Sequence, residues 1–215
     1  MKTLLVWVGP NTTPDVAALV SHFDCAILFE PGRDEYLELC NQFPKQEGVE
    51  IVNAGCGLDV GDFEFTHYNH GLSSSFARVT DDARKAWAHA DWSGERTTIA
   101  RMVNLGDWLR TRGIETIHKL VIDAQGFDLD ILRTIQSPYL EKQFVKELVV
   151  EGDIHTFNHY EHRNSFTDQA ELLQRCGYVC TRKLGTIHID STWEPEGNAN
   201  QIAARLERQG CRTYY

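Results

Sequence analysis

Lys119–Leu132 reads KLVIDAQGFDLDIL, and the chain returns to the same pattern at Lys146–Asp153, KELVVEGD. Two short apolar runs, Leu120–Ile122 and Leu148–Val150, each end in a carboxylate, Asp123 and Glu151. Between them Phe127, Ile131, Leu132 and Ile135 fall at spacings that share one helical face. An unbroken apolar run, an amphipathic helix and a second apolar run are the pattern of parallel strands covered on both faces, because a strand with one wet face alternates instead. Ligands of such sheets sit beyond the carboxyl ends of the strands. Asp123 and Glu151 are therefore expected on one edge, where chemistry is placed.

Upstream, Thr3–Val8 reads as a strand that stops at Gly9-Pro10. Thr13 is expected as an N-cap, with Pro14 at the first helical position and Asp15 in the first turn. Val16, Leu19, Val20 and Phe23 share the face that follows. Cys25–Phe29 is the next strand and ends at Glu30-Pro31. Strand, tight turn, helix, strand, acid is a mononucleotide-binding half-unit. A small residue at the turn lets the backbone approach a ligand, and helix N–H groups face its polar end. The acid can accept both ribose hydroxyls. Glu30 fits that role; the plainer reading is a solvated carboxylate at a strand end. The turn VGPNTT lacks the G-x-G-x-x-G spacing of a nicotinamide-dependent oxidoreductase, which would share the half-unit.

Tyr36, Leu39, Cys40 and Phe43 mark a second helix closed by Pro44. Val49–Ala54 reads as a third strand and Phe63–Tyr68 as a hairpin strand. Arg78 to Thr98 is polar, with Ala83, Ala86, Trp87 and Ala90 on one helical face. It is either a lid carrying Trp87 and Trp92 or a surface helix with a core-facing tryptophan. Ile99–Val103 is a short strand, and Leu105–Arg112 a helix ended by Gly113. Past the central unit come a loop with His155, His159 and His162, then a capping box at Ser165 and Asp168 that opens a helix running to Gly177. Tyr178–Arg182 and Thr186–Asp190 read as an antiparallel pair, and Ala199–Gln209 as a terminal helix.

With 215 residues the chain is read as one domain, 1–215, with 78–98 as a lid or substrate insertion. A domain of this size buries roughly 70% of its unfolded surface and needs no disulfide or metal to fold. A net charge of −10 argues against a broad nucleic-acid or anionic-membrane surface. The apolar run after Lys2 stops at Gly9-Pro10, far short of the ~20 residues that cross a bilayer. The cysteines follow no framework spacing and are read as reduced thiols; Cys176 and Cys180 lack a second ligand pair for zinc. A cytoplasmic protein is expected.

Read together, these segments resemble the FkbM family of S-adenosylmethionine-dependent methyltransferases over about Leu4 to Tyr178. The strongest match is the quoted KLVIDAQGFDLDIL, similar to the family's lysine–apolar–aspartate–x–(Glu/Gln)–glycine signature with an acid and a leucine after it. AILFEP, NAGCG, GLSSSF, LGDWL, LVVE and LLQRCGY add matches in the right order. The resemblance implies an α/β, Rossmann-like class I methyltransferase fold: a seven-stranded, mostly parallel sheet, its last strand antiparallel, with helices on both faces. It implies S-adenosylmethionine as cofactor and a hydroxyl of a small molecule or sugar as methyl acceptor. By position, Gly9, Asn11, Glu30, Asn53 and Ala54 would bind the cofactor, and Asp123 and Glu151 would border the acceptor site. Two positions depart from the family loop: Trp7 stands in place of aspartate and Thr13 in place of the last glycine. A threonine Cβ restricts positive φ, so either cofactor affinity falls or the loop takes another route. The alternative to an active enzyme is a methyltransferase-like binding or regulatory protein that has lost turnover.

An acceptor alcohol must lose its proton near the transition state, and a base within hydrogen-bond reach assists. Asp123, Glu151, Asp153 and His155 are the candidates. Asp123 and Glu151, with or without Asp153, are also candidate ligands for Mg²⁺, which would bind vicinal hydroxyls and acidify one of them. His155 and His159 face together only in a helix, and Gly152 and Asn158 favour a loop. The expected partner is a small-molecule or glycan acceptor, not nucleic acid or membrane; a homo-oligomer is compatible with the sequence.

Overall fold

The computed structural model describes residues 2–44, 46–69, 73–154, 157–185 and 188–197. The first half-unit is β1 (Leu4–Val8), α1 (Asp15–Val20), β2 (Cys25–Phe29), α2 (Arg33–Gln42) and β3 (Val49–Val52). Then come β4 (Gly55–Cys56), β5 (Gly61–His67), α3 (Asp81–Ala86), β6 (Arg96–Val103) and α4 (Leu105–Thr111). The second half is β7 (Lys119–Ile122), α5 (Asp128–Ile135), β8 (Leu148–Asp153), α6 (Phe166–Arg175), β9 (Tyr178–Leu184) and β10 (His188–Pro195).

Seven strands form one sheet in the order β3-β2-β1-β7-β8-β10-β9. β1 pairs in parallel with β2 and β7, and β7 with β8, while β10 runs antiparallel to both of its neighbours. The strand order reverses between β1 and β7, which is the switch point where such sheets hold ligands. The continuous apolar runs are explained by burial on both faces. Leu120, Ile122, Leu148 and Val150 pack into a core closed by α4, α5 and α6. Leu5, Leu28 and Val121 pack the other way, against Val16 and Val20 of α1 and Leu39 of α2. Each fully buried aliphatic side chain contributes about 1.5–3 kcal/mol, so this double layer is what fixes the strand register.

Register determines the functional edge. Val8 lies level with Phe29 and Ile122, and Ile122 with Val150. The next residue of each strand therefore falls in one row: Gly9, Glu30, Asp123 and Glu151. The sequence places Glu151 at a strand end, but β8 runs on to Asp153 because β10 pairs with it there, Asp190 against Glu151 and Ile189 against Gly152. α5 passes into a π-type turn at Gln136–Leu140, where Glu141 N–H reaches back to the Gln136 carbonyl at 2.9 Å. Pro138, with no N–H to donate, breaks the α ladder in that turn.

Three further corrections are local. Pro14, not Thr13, takes the cap position of α1, and Thr13 makes no side-chain cap bond. β3 stops at Val52 rather than Ala54. The Arg78–Thr98 helix is confined to α3, capped by Thr80 on the Ala83 N–H; Trp87 already leaves the helical region, and Arg96–Thr98 belong to β6. The β-branched Thr97, Thr98 and Ile99 favour the strand. β6 pairs antiparallel with β5 and parallel with β4 in a separate three-stranded sheet. The expected helix at Ala199–Gln209 and the first residues of the Thr186–Asp190 strand lie outside the described residues. Among the described residues no helix is long and apolar enough to cross a membrane.

Candidate active site

The β1 loop is pressed against the end of β7. The Asp123 N–H donates to the Val8 carbonyl at 3.0 Å, and the Gly9 N–H to the Phe29 carbonyl at 2.9 Å. A Cβ on Gly9 (φ 75) would lie 1.9 Å from the Asp123 carbonyl oxygen, so no larger residue fits. The loop's second positive φ falls on Asn11 (52), whose side-chain oxygen accepts from Thr12 N–H at 2.6 Å. Asparagine tolerates this conformation through such a local bond. Thr13 is not asked to adopt it, which is how the loop accommodates the missing glycine.

Glu30 ties the loop to β2. Its Oε2 accepts from the Asn11 N–H at 3.1 Å and its Oε1 from the Gly32 N–H at 2.9 Å. The side chain is 5% exposed. Burial, aided by the charges of Glu35 and Asp123, pushes its carboxyl up to about 8 despite the two N–H donors. A folded value above the unfolded one means that this stabilisation is full below the ordinary carboxylate range and is lost as pH rises through about 8. Glu30→Gln cannot ionise. Its urea midpoint should carry a constant offset and lose the decline that wild type shows between about pH 5 and pH 8.5. Parallel slopes in the two proteins would refute the assignment.

Asp123 and Glu151 face one another across a single side chain. Gln125 Nε2 donates to Asp123 Oδ1 and, at 3.3 Å, to Glu151 Oε2. Gln125 Oε1 accepts from the Tyr160 hydroxyl. Burial together with the charges of Glu151 and Asp123 pushes the Tyr160 phenol well above its ordinary value, so it stays a donor. Behind the pair, Asn164 and Gln169 both donate to the Glu151 carbonyl, at 3.2 and 2.6 Å.

Asp123, Gln125 and Glu151 line a cavity of about 440 Å³. Gly9, Asn11, Glu30, Asp123 and Glu151 all reach it, as do Glu35, Trp87, Trp92 and His159. No lysine or arginine is among the described lining residues. The indole N–H of Trp7 and Oε2 of Glu35 are buried there without a hydrogen-bond partner among the described residues.

The profile of the methyltransferase FkbM domain matches residues 10–180. The chain belongs to the FkbM family of methyltransferases. A search of curated proteins returns no match. Similar solved structures include the fibrillarin pre-rRNA processing protein of Methanococcus jannaschii, 10% identical, covering 91% of this chain and 67% of that one at a TM-score of 0.48. The N-methyltransferase NodS of Bradyrhizobium japonicum is 8% identical, with 90% and 86% covered at 0.48. The magnesium protoporphyrin IX methyltransferase ChlM of Synechocystis is 6% identical, with 90% and 69% covered at 0.47. Family and fold make this FkbM chain an S-adenosylmethionine-dependent methyltransferase, and its own strand order agrees. The donor set fits that cofactor: the indole N–H of Trp7 suits an acceptor atom and the buried Oε2 of Glu35 a hydroxyl or amine donor, while the Glu30 carboxyl holds the loop beside them.

Not every expected residue of this FkbM protein meets the cavity. Asn53 instead donates to the Glu30 and Pro31 carbonyls at 2.9 and 3.2 Å, so it shapes the end of β2, and Ala54 is buried beside it. Asp153 is turned to the His159 N–H at 2.7 Å. His155 lies outside the described residues. The histidine that reaches the wall is His159, whose ring lies 4.6 Å from Trp87 and 4.5 Å from Tyr160. His162 points elsewhere, bonded to Asp130 at 2.8 Å and stacked on Phe127. Among the described residues no three His, Cys, Asp or Glu side chains converge as metal ligands, so the candidate Mg²⁺ site gains no support from the geometry. Gln125 and Tyr160 were missed by the sequence reading; the Gln of the DAQG signature was the available signal.

Proposed function

We propose that this methyltransferase acts on a hydroxyl oxygen of a small molecule or sugar. The observation that carries the proposal is the Asp123–Glu151 pair, level across two strands at the wall of a cavity rich in acids and aromatic rings. Bound S-adenosylmethionine supplies an electrophilic methyl group on a sulfonium. The Gly9–Asn11 loop and Glu30 would hold it, with Trp7 N–H and Glu35 as further partners. A wall of carboxylates without basic side chains favours a cationic cofactor and a neutral acceptor over a phosphorylated one. Asp123 and Glu151 accept hydrogen bonds from the acceptor, orient its hydroxyl and take the proton on a carboxylate oxygen as the O–H bond breaks. Orientation supplies several kcal/mol and a positioned base about 10²–10⁴-fold. Trp87 and Trp92 exclude water from the reacting atoms.

Calorimetric titration of S-adenosylhomocysteine tests this reading. Micromolar binding to wild type is expected, weakened about tenfold or more in Glu30→Ala. Asp123→Asn and Glu151→Gln should keep that affinity within about threefold, yet lower methyl transfer to a polyol and glycoside panel about 100-fold. No binding to folded, cofactor-free wild type would sink the enzyme reading in favour of a protein that has lost turnover.

A further inference from the structure

Gln125 sits in a left-handed backbone conformation, φ 50, that glutamine seldom adopts. Its carbonyl is held there by the Ser75 hydroxyl at 2.5 Å. Such a conformation persists only where the surroundings over-determine it. Its effect is to aim the side chain between two carboxylates. An amide nitrogen carries two donors and the oxygen none, so the two acceptor carboxylates decide which end faces them. At its other end the amide oxygen meets the Tyr160 hydroxyl, which also faces the Ser73 carbonyl at 3.4 Å. A flipped amide would set its oxygen against both Asp123 and Glu151 and leave Tyr160 facing an N–H. Two carboxylates converging on one point ordinarily share a proton or bind a cation. Here the point is filled by a neutral N–H donor.

We propose that Gln125 is a positioning residue that takes the place of a bridging cation: locked by Tyr160, its amide holds Asp123 and Glu151 at a fixed separation, so the pair meets the acceptor hydroxyl with no divalent ion between them. The proposal rests on the reading that these carboxylates border the reacting centre.

Mn²⁺ alone is the probe, with affinity read from its paramagnetic resonance signal. Gln125→Glu converts the bridging nitrogen into a third carboxylate oxygen and creates a hard-cation donor set. It should bind Mn²⁺ at least about tenfold more tightly than wild type, and adding Glu151→Gln should abolish the gain. The Gln125 side-chain amide resonances should be displaced from solvent values in wild type and return towards them in Tyr160→Phe, a signature that a general loss of packing would not confine to one amide. Equal Mn²⁺ affinity in wild type and Gln125→Glu would overturn the proposal, and so would solvent-like amide signals in wild type. The second readout needs no charge-altering variant to fold. S-adenosylhomocysteine titrated into the same samples keeps the two readings separable: its failure to bind would sink the methyltransferase reading, while the bridge is judged by Mn²⁺ and the amide signals.

Discussion

Gly9→Ala is expected to lower the melting temperature by roughly 6–12 °C and to abolish S-adenosylhomocysteine binding, whereas Gly113→Ala lowers it by roughly 2–8 °C and leaves binding intact. The two glycines have nearly the same backbone conformation, φ 75 and 68, so the cost of an alanine Cβ in the left-handed region, about 1–2 kcal/mol, is common to both. The difference is space. At Gly113 nothing lies within 4 Å of the added carbon, while at Gly9 the Asp123 carbonyl oxygen lies 1.9 Å away. That carbonyl cannot swing aside cheaply, because the N–H of the same residue is bonded to Val8. Relief must come from parting β1 and β7 at the functional edge, which raises the total to about 3 kcal/mol or more and moves Asn11 away from Glu30. Scanning calorimetry of the two variants side by side checks the argument. Equal losses would show that the close approach is relaxed in solution.

The same edge shows what the sequence could and could not disclose. Gly9, Glu30 and Asp123 follow β1, β2 and β7, whose apolar runs are unbroken and end sharply, so their alignment was legible from composition and spacing. Glu151 was legible as a position in the row but not as an interior strand residue, because the pairing that extends β8 comes from β10, some forty residues on. The cap of α1 was misread for a local reason: Thr13 and Pro14 both suit a helix start, and the choice depends on where the loop spends its positive φ. Asn11 takes it. The second sheet was missed as a sheet because β5 and β6 are separated by α3 and the loop that carries Trp87 and Trp92, and only the tertiary fold brings Phe65 opposite Thr98.

The polar network was hidden for a different reason. Tyr160 meets Gln125 across 35 residues and the Ser73 carbonyl across 87. Side-chain bonds of that span leave no period in a sequence; they are consequences of the fold rather than instructions for it. Only the type of residue hinted at them. Glutamine in the signature that follows Asp123 is a donor where a second acid would repel.

Asn164→Leu should be the most damaging change in that network, costing about 3–5 kcal/mol in urea denaturation. The side chain is 1% exposed and every bonding position is used. Its nitrogen donates to Asp128 Oδ2 at 2.9 Å and to the Glu151 carbonyl at 3.2 Å. Its oxygen accepts from the Leu129 N–H at 3.2 Å and from Gln169 at 2.8 Å. One residue thereby joins the first turn of α5, the row position on β8 and the start of α6. Leucine matches the volume but removes all four bonds, and it deprives the fully buried Asp128 carboxylate of a donor. A carboxylate's hydrogen bond is worth more than a neutral one, so this term dominates. By contrast, Ser165→Ala next to it removes only the α6 cap and should cost about 1 kcal/mol. Asn164→Asp separates volume from charge. It keeps both acceptor bonds but sets an anion against Asp128, so its defect should shrink between about pH 8 and pH 4 more steeply than that of Asn164→Leu. If Asn164→Leu proved no worse than Ser165→Ala, the three elements would have to be held together by apolar packing alone.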